Sequence, residues 1–324
     1  MKIHGLHHIT SITDNAQRNF DFFTHVLGMR LVKKTVNQDD IQTYHTFFAD
    51  AKGSPGTDIT FFDFKDIPKG VHGRDEISRI GLRIPSLDAL AYWKKRLTHY
   101  QVAYQEVTLH QKPFLFFNEA DGQQYAIAVD EGFEGVLPGE PWNDSKVPNE
   151  FQIIGLGPVF FNVSALNEMD AILTQVLGFK GTKDASNTTE YTLPEGGHGA
   201  TIYLTEDHSD AGYQGYGTVH HVAFRVEDKA ALDEWIAYFS SLRVPHSGFV
   251  DRFYFKSLYT RLYRPILFEF ATDGPGFIDD EEDLTQLGQT LALPPKLRPL
   301  RDQIEKSVRP LDTSLDTPFE KEVF

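Results

Sequence analysis

The feature that most constrains this chain is that it repeats itself. Shifted by 150 residues, the segment from Gly5 to Lys34 falls without gaps on the segment from Gly155 to Asp184. Gly5 and Leu6 meet Gly155 and Leu156, and Val26, Leu27 and Gly28 meet Val176, Leu177 and Gly178. A second shift, of 142, lays the segment from Ile77 on the segment from Val219, pairing Arg83 with Arg225, Trp93 with Trp235 and Val102 with Val244. Self-similarity at a fixed spacing means that one supersecondary unit is used several times. Here there are four units of two alternating types, so a two-unit half has been duplicated.

Each unit has the same layout. A short alternating strand comes first, as in HHITSI or HHVAFRV. The spacing then predicts amphipathic helices over 16–26, 87–100, 167–176 and 229–242, followed by further short strands such as FLFFNEA and QQYAIAV. Asp14 and Ser164 are the expected helix caps, and Gly28 and Gly178 the residues with positive φ after the helices. The fold class is α+β: four βαβββ modules paired into two domains, 1–134 and 150–276. The polar, Pro-containing run 135–149 reads as a linker. Residues 277–324 form a C-terminal extension outside the repeats. It reads as a surface-wrapping tail; the alternative is an arm that clasps a second subunit of a homo-oligomer.

Composition excludes several classes. The chain has 46 acidic against 31 basic residues, a formal net charge of -15, which repels phosphate backbones and anionic membranes. No nucleic-acid or membrane partner is expected. There is no cysteine, so disulfides, thiolate metal sites and thiol nucleophiles are absent. No stretch approaches the roughly 20 apolar residues of a membrane span, and the start has no apolar signal core, so a cytoplasmic location is expected. The acidic run Asp279 to Asp283 reads as a solvated turn, because it lacks the alternating ligands and central glycine of a calcium loop.

The repeats also act as an internal control for chemistry. Unit one begins with His7-His8 and unit four with His220-His221, whereas the sister positions hold Gly157-Pro158 and Ser78-Arg79. The scaffold therefore does not require histidine there. Glu269 lies within the apolar run ILFEF, and its sister is Ile127. A carboxylate at such a position is costly unless it is paired or metal-bound. Two histidines and one carboxylate match the facial triad of non-heme Fe(II), and the same donors suit Mn(II). The plain alternative for Glu269 is a salt bridge to Arg252, Arg261 or Arg264. Strand alternation puts the two histidines of each pair on opposite faces but does not say which one is the ligand.

HHIT near the start, VHHVAF late and ILFEFATDGPGF near the end resemble the ring-cleaving dioxygenases of the vicinal oxygen chelate (glyoxalase/bleomycin resistance) superfamily. Within it the hydroquinone and chlorohydroquinone dioxygenases are most similar, and the likeness runs to about Phe277. The resemblance implies His8, His221 and Glu269 as metal ligands. It implies His7, Thr10, His220, Arg252 and Tyr259 as the residues that face substrate. It further implies a small aromatic substrate and O2 as partners, and ring opening as the reaction. Arg264-Pro265 stands where relatives have a glycine-containing turn. Two other functions belong to the same scaffold: a glyoxalase-like lyase or isomerase, and a non-catalytic protein that sequesters an aromatic compound.

Overall fold

A computed structural model describes residues 1–132, 135–279, 282–315 and 319–324. The end of the first half at 134 and the middle of the acidic run lie outside the described residues. Unit one comprises β1 (Leu6–Thr13), α1 (Ala16–Phe20, continued by a π-helical turn over Asp21–Val26), β2 (Arg30–Asn37), β3 (Asp40–Ala49) and β4 (Asp58–Asp63). Unit two comprises β5 (Glu76–Ile84), α2 (Leu87–His99), β6 (Tyr104–Leu109), β7 (Lys112–Asn118) and β8 (Gln124–Val129). In unit three, β9 (Gly155–Val163) leads into α3 (Leu166–Ala171, with a π-helical turn over Ile172–Val176), then β10 (Lys180–Lys183), β11 (Thr188–Thr192) and β12 (Thr201–Glu206). In unit four, β13 (Thr218–Val226) leads into α4 (Lys229–Ser241), β14 (Val250–Asp251), β15 (Phe255–Thr260) and β16 (Phe268–Pro275). These are the four βαβββ modules of the repeat.

Local chemistry sets the helix boundaries. Ser86 and Asp228 cap α2 and α4 by accepting from the amides of Ala89 and Ala231. In unit one the cap is Asn15, which accepts from the Arg18 amide at 2.9 Å, and not Asp14, whose carboxylate is taken by the Arg18 guanidinium at 2.6 Å. Ser164 does not cap α3 either, because its hydroxyl donates to Asp75 at 2.8 Å. Gly28 and Gly178 have φ of 71° and 81°, as expected, and end the paired π-turns.

The strands form two eight-stranded sheets. The first has the order β14-β15-β16-β13-β1-β4-β3-β2, and the second β10-β11-β12-β9-β5-β8-β7-β6. Each sheet thus joins one module from each sequence half: unit one with unit four, and unit two with unit three. The seams are antiparallel, β1 on β13 and β5 on β9. In the first sheet Ile9, Ile59, Phe61, Val222, Phe224, Phe268 and Phe270 enter the main core. Strand alternation then sends His8, Thr10, Thr60, His221 and Glu269 to the other face, around which the sheet curls.

The run 135–149 contains no strand, yet it is packed: Trp142, Ser145 and Val147 are buried, and the Ser145 hydroxyl donates to the Gly28 carbonyl at 2.8 Å. The extension wraps its own chain. Phe277, Leu287, Leu293 and Ile304 are buried, and α5 (Arg301–Ser307) packs on β3. The expectation of a solvated turn at the acidic run needs correcting at its described end. Glu282 is buried, because fully buried Lys33 reaches it at 2.7 Å.

Candidate metal centre and its cavity

Three ligand atoms converge on the concave face of the first sheet. Glu269 Oε2 stands 3.1 Å from His8 Nε2 and 2.9 Å from His221 Nε2, and the two Nε2 atoms are 3.3 Å apart. All three side chains are buried. Oε2 is aligned as a hydrogen bond with neither imidazole, whereas Oε1 accepts from the Ser257 hydroxyl at 2.5 Å. Three ligands at right angles on one metal, each about 2.1 Å from it, stand about 3.0 Å apart. The donor set and its spacing therefore fit a divalent metal bound on one face. None of Arg252, Arg261 and Arg264 pairs with Glu269; among the described residues its partners are the two imidazoles and Ser257. Burial alone would raise the Glu269 carboxyl, but His8 and His221 outweigh it and hold the group well below the usual carboxylate range.

The second histidine of each pair owes its place to an irregular seam. Between β1 and β13 the register steps from Leu6↔Phe224 to His8↔Ala223, passing over His7. It steps again from Thr10↔His221 to Ser11↔Val219, passing over His220. A β-bulge re-aims the extra residue instead of alternating it. Each extra imidazole therefore meets its neighbour instead of pointing away. His7 Nδ1 lies 2.9 Å from His8 Nδ1, and His220 Nδ1 lies 2.7 Å from His221 Nδ1. The expectation of opposite faces fails here for that reason. The sister seam has the same irregularity, at Ser78 on β5 and at Gly157-Pro158 on β9, so the bulges belong to the fold and only the imidazoles are specific to this site.

The first pair also fixes protons. His7 Nε2 faces the Thr272 carbonyl at 3.0 Å, and a carbonyl only accepts, so His7 donates there. Burial, with His8 beside it, pushes His7 down to about 3 and keeps it neutral. His7 Nδ1 then accepts from His8 Nδ1, which turns His8 Nε2 toward Glu269 and His221.

A cavity of about 280 Å³ opens on the three ligands, at the small end of the range for ligand pockets and suited to one substituted ring. His8, His220, His221, Arg252, Tyr259 and Glu269 all line it. His7 and Thr10 do not: His7 backs His8, and Thr10 Oγ1 lies 3.0 Å from His221 Nε2. Arg252 donates from Nε to the Tyr259 hydroxyl at 3.1 Å and from its terminal nitrogen to Asp39 at 2.8 Å. Burial, and after it Glu269, raise the Tyr259 phenol, so it stays protonated. Asn37, Gln38 and Asp39, at the end of β2 and in the turn to β3, form one wall, and Gln38 donates to the Arg252 carbonyl at 2.6 Å. His45 on β3 also lines the cavity and was not singled out from sequence. The gap-free repeat stops at Lys34, so no sister position exposes it.

Comparison with known proteins now decides the family. The family model of the Glyoxalase/Bleomycin resistance protein/Dioxygenase superfamily matches residues 5–140 and 155–276. The chain belongs to this superfamily. It is 41% identical to MhqA of Bacillus subtilis (strain 168), named as a candidate ring-cleaving dioxygenase, over 96% of this chain and 100% of that protein. It is 30% identical to the chlorohydroquinone/hydroquinone 1,2-dioxygenase of Sphingobium indicum, over 95% of this chain and 96% of that one. A crystal structure of a candidate dioxygenase from Bacillus subtilis superposes with a TM-score of 0.88 at 33% identity, covering 97% of this chain and 99% of that one. Glyoxalase I from Zea mays shares the fold at a TM-score of 0.56 and 12% identity, over 83% of this chain and 92% of that one. Members of the superfamily that act as dioxygenases depend on a metal. Among the described residues no helix is long and apolar enough to cross a membrane.

Proposed function

We propose that this protein is an Fe(II)-dependent dioxygenase that opens a hydroquinone- or catechol-type ring with O2, with His8, His221 and Glu269 as the metal ligands. The observation that carries this reading is the convergence of two imidazole nitrogens and one carboxylate oxygen on one ring-sized cavity. Full-length likeness to ring-cleaving dioxygenases supports the reaction class. Two imidazoles and a carboxylate suit Fe(II) first and Mn(II) second. Bound there, such an ion would acidify a phenolic hydroxyl and supply the redox chemistry that O2 needs.

The chain's own residues do the rest. His7 acts behind the ligands and orients the imidazole of His8, while Thr10 sets its hydroxyl beside the ligand nitrogen of His221. His220 lines the cavity and is held to about 3 by burial and His221, so it is a neutral imidazole. Its unprotonated nitrogen accepts a hydrogen bond from the phenolic hydroxyl as substrate binds. Tyr259 is a protonated phenol and donates a hydrogen bond to substrate oxygen. Arg252, kept charged beside Tyr259 and Asp39, faces the negative charge that accumulates as the ring opens to a carboxylate. Apolar walls from Phe47, Phe62, Phe255 and Leu267 hold the ring and keep water away.

A panel of hydroquinones, catechols and methylglyoxal–thiol adducts, given to anaerobically Fe(II)-loaded protein and then exposed to air, tests this reading. Ring opening of a hydroquinone or catechol, followed by the absorbance of the opened product, is expected. Turnover of the thiol adducts alone would assign the site to a lyase or isomerase.

A further inference from the structure

We infer that His45 is a specificity-determining residue that binds, through Nδ1–H, the substrate hydroxyl opposite the one at the metal. The inference rests on the ring-opening function proposed above. The two oxygens of a catechol are neighbours and can share one metal, but those of a hydroquinone stand at opposite ends of the ring. The far hydroxyl needs a partner in the protein wall, because a buried polar group without one costs stability of the complex.

His45 has the features of that partner. It lies on β3, two strands from β1, which carries His8; at strand spacing that is about 10 Å, the span of a metal–oxygen bond, a para-diphenol and a hydrogen bond end to end. Its ring is wedged between Phe47, with centroids 4.0 Å apart, and Phe62, at 4.4 Å, and both phenyl groups line the same cavity. An imidazole held between two rings has little rotamer freedom left to lose on binding. Its Nε2 is already engaged, 3.0 Å from Thr60 Oγ1. Its Nδ1 makes no hydrogen bond to protein among the described residues and is not a sealed polar atom.

A hydroxyl relay sets which nitrogen carries the proton. Thr60 Oγ1 lies 2.7 Å from Thr10 Oγ1, and Thr10 Oγ1 lies 3.0 Å from His221 Nε2. Once His221 Nε2 gives its lone pair to a metal, it cannot accept from Thr10. The Thr10 hydroxyl then donates to Thr60, and Thr60 donates to His45 Nε2. With Nε2 accepting, the neutral imidazole carries its hydrogen on Nδ1, which makes the free nitrogen a donor toward the cavity. The Thr10 and Thr60 hydroxyls thus link the ligand His221 to the polarity of the opposite wall.

The test pairs a change in the protein with a change in the ligand. Binding of hydroquinone and of 4-methylphenol, which lacks only the far hydroxyl, is measured without O2 on metal-loaded parent and His45→Phe. The variant is expected to bind hydroquinone about 3- to 10-fold more weakly, the worth of one net hydrogen bond, and 4-methylphenol within about twofold of the parent. Metal content should match the parent, and His45→Gln, which keeps a donor, should recover part of the hydroquinone loss. Equal weakening of both ligands, no weakening of either, or a parent that does not bind hydroquinone would overturn the inference. Selective weakening in a protein that never opens the ring in air would keep the inference and remove the dioxygenase function instead.

Discussion

Individual side chains carry the argument about chemistry, and two variants isolate it. The sister of Glu269 is Ile127, fully buried in a strand that folds without a carboxylate, so the fold has no use for the charge. Glu269→Gln keeps the volume and an acceptor for Ser257 but removes the charge and the ligand. In chelator it should melt only slightly below the parent, since the pairing with His8 and His221 that holds the carboxylate ionised is lost, while bound metal falls to background. A large melting loss in chelator would make Glu269 a structural group. The second pair of variants separates substrate contacts from metal contacts. His220→Ala and Tyr259→Phe should slow turnover about 100-fold, in the range for a lost hydrogen bond to a reacting oxygen, with metal content unchanged. Loss of metal in either would move that residue into the ligand shell.

The sequence carried the residue scale furthest where repeats overlapped. His8, His221 and Glu269 stood out because Pro158, Arg79 and Ile127 occupy equivalent strands. His45 did not stand out, because its strand lies beyond the gap-free register. Alternation also misplaced His7 and His220. A bulge is set by how two strands pair across some 210 residues, and the alternation of a single strand does not contain it.

At the scale of elements, four strand–helix–strand modules were legible because their helices are amphipathic and two of the four end on glycines with positive φ. The caps were less so. Asp14 and Asn15 are both good capping residues, and the choice fell to Arg18, which draws the Asp14 carboxylate away. Ser164 was lost to Asp75, 89 residues earlier in the chain. The turn between β7 and β8 makes a prediction about pH. Burial, and after it Asp121, raise Glu119 from its ordinary 4.5 to about 8. Between those values the folded chain holds a proton that the unfolded chain releases. The contribution to stability is therefore complete below about pH 4.5 and is lost as the pH rises through about 8. Urea unfolding at pH 5 and pH 8 should show a loss in the parent that Glu119→Gln lacks, on the order of 3 kcal/mol. Parallel pH profiles in the two proteins would place the Glu119 proton elsewhere.

For the molecule as a whole, the duplication predicted two similar halves, but the strand pairing crosses them. β1 pairs with β13 and β5 with β9, so each sheet is a hybrid of one module from each half. Which module pairs with which is a long-range choice, invisible to local periodicity. The hybrid explains why one ligand comes from unit one and two from unit four. It also makes the two sheets unequal. In the second sheet Arg79 occupies the sister position of His221, donates to the Tyr125 carbonyl and Gln124, and lies over the Phe116 ring at 4.0 Å. A guanidinium cannot ligate a cation, so metal analysis should return one ion per chain; two equivalent ions would contradict this asymmetry.

The central claim is that this site opens an aromatic ring with both atoms of O2. Fe(II)-loaded protein supplied with hydroquinone under ¹⁸O2 tests it most directly, with the opened product read by mass spectrometry. The expected product carries two labelled oxygen atoms per ring, and a Zn(II)-loaded sample, without redox chemistry, forms none. Full turnover in an oxygen-free chamber, or a product without label, would contradict the account.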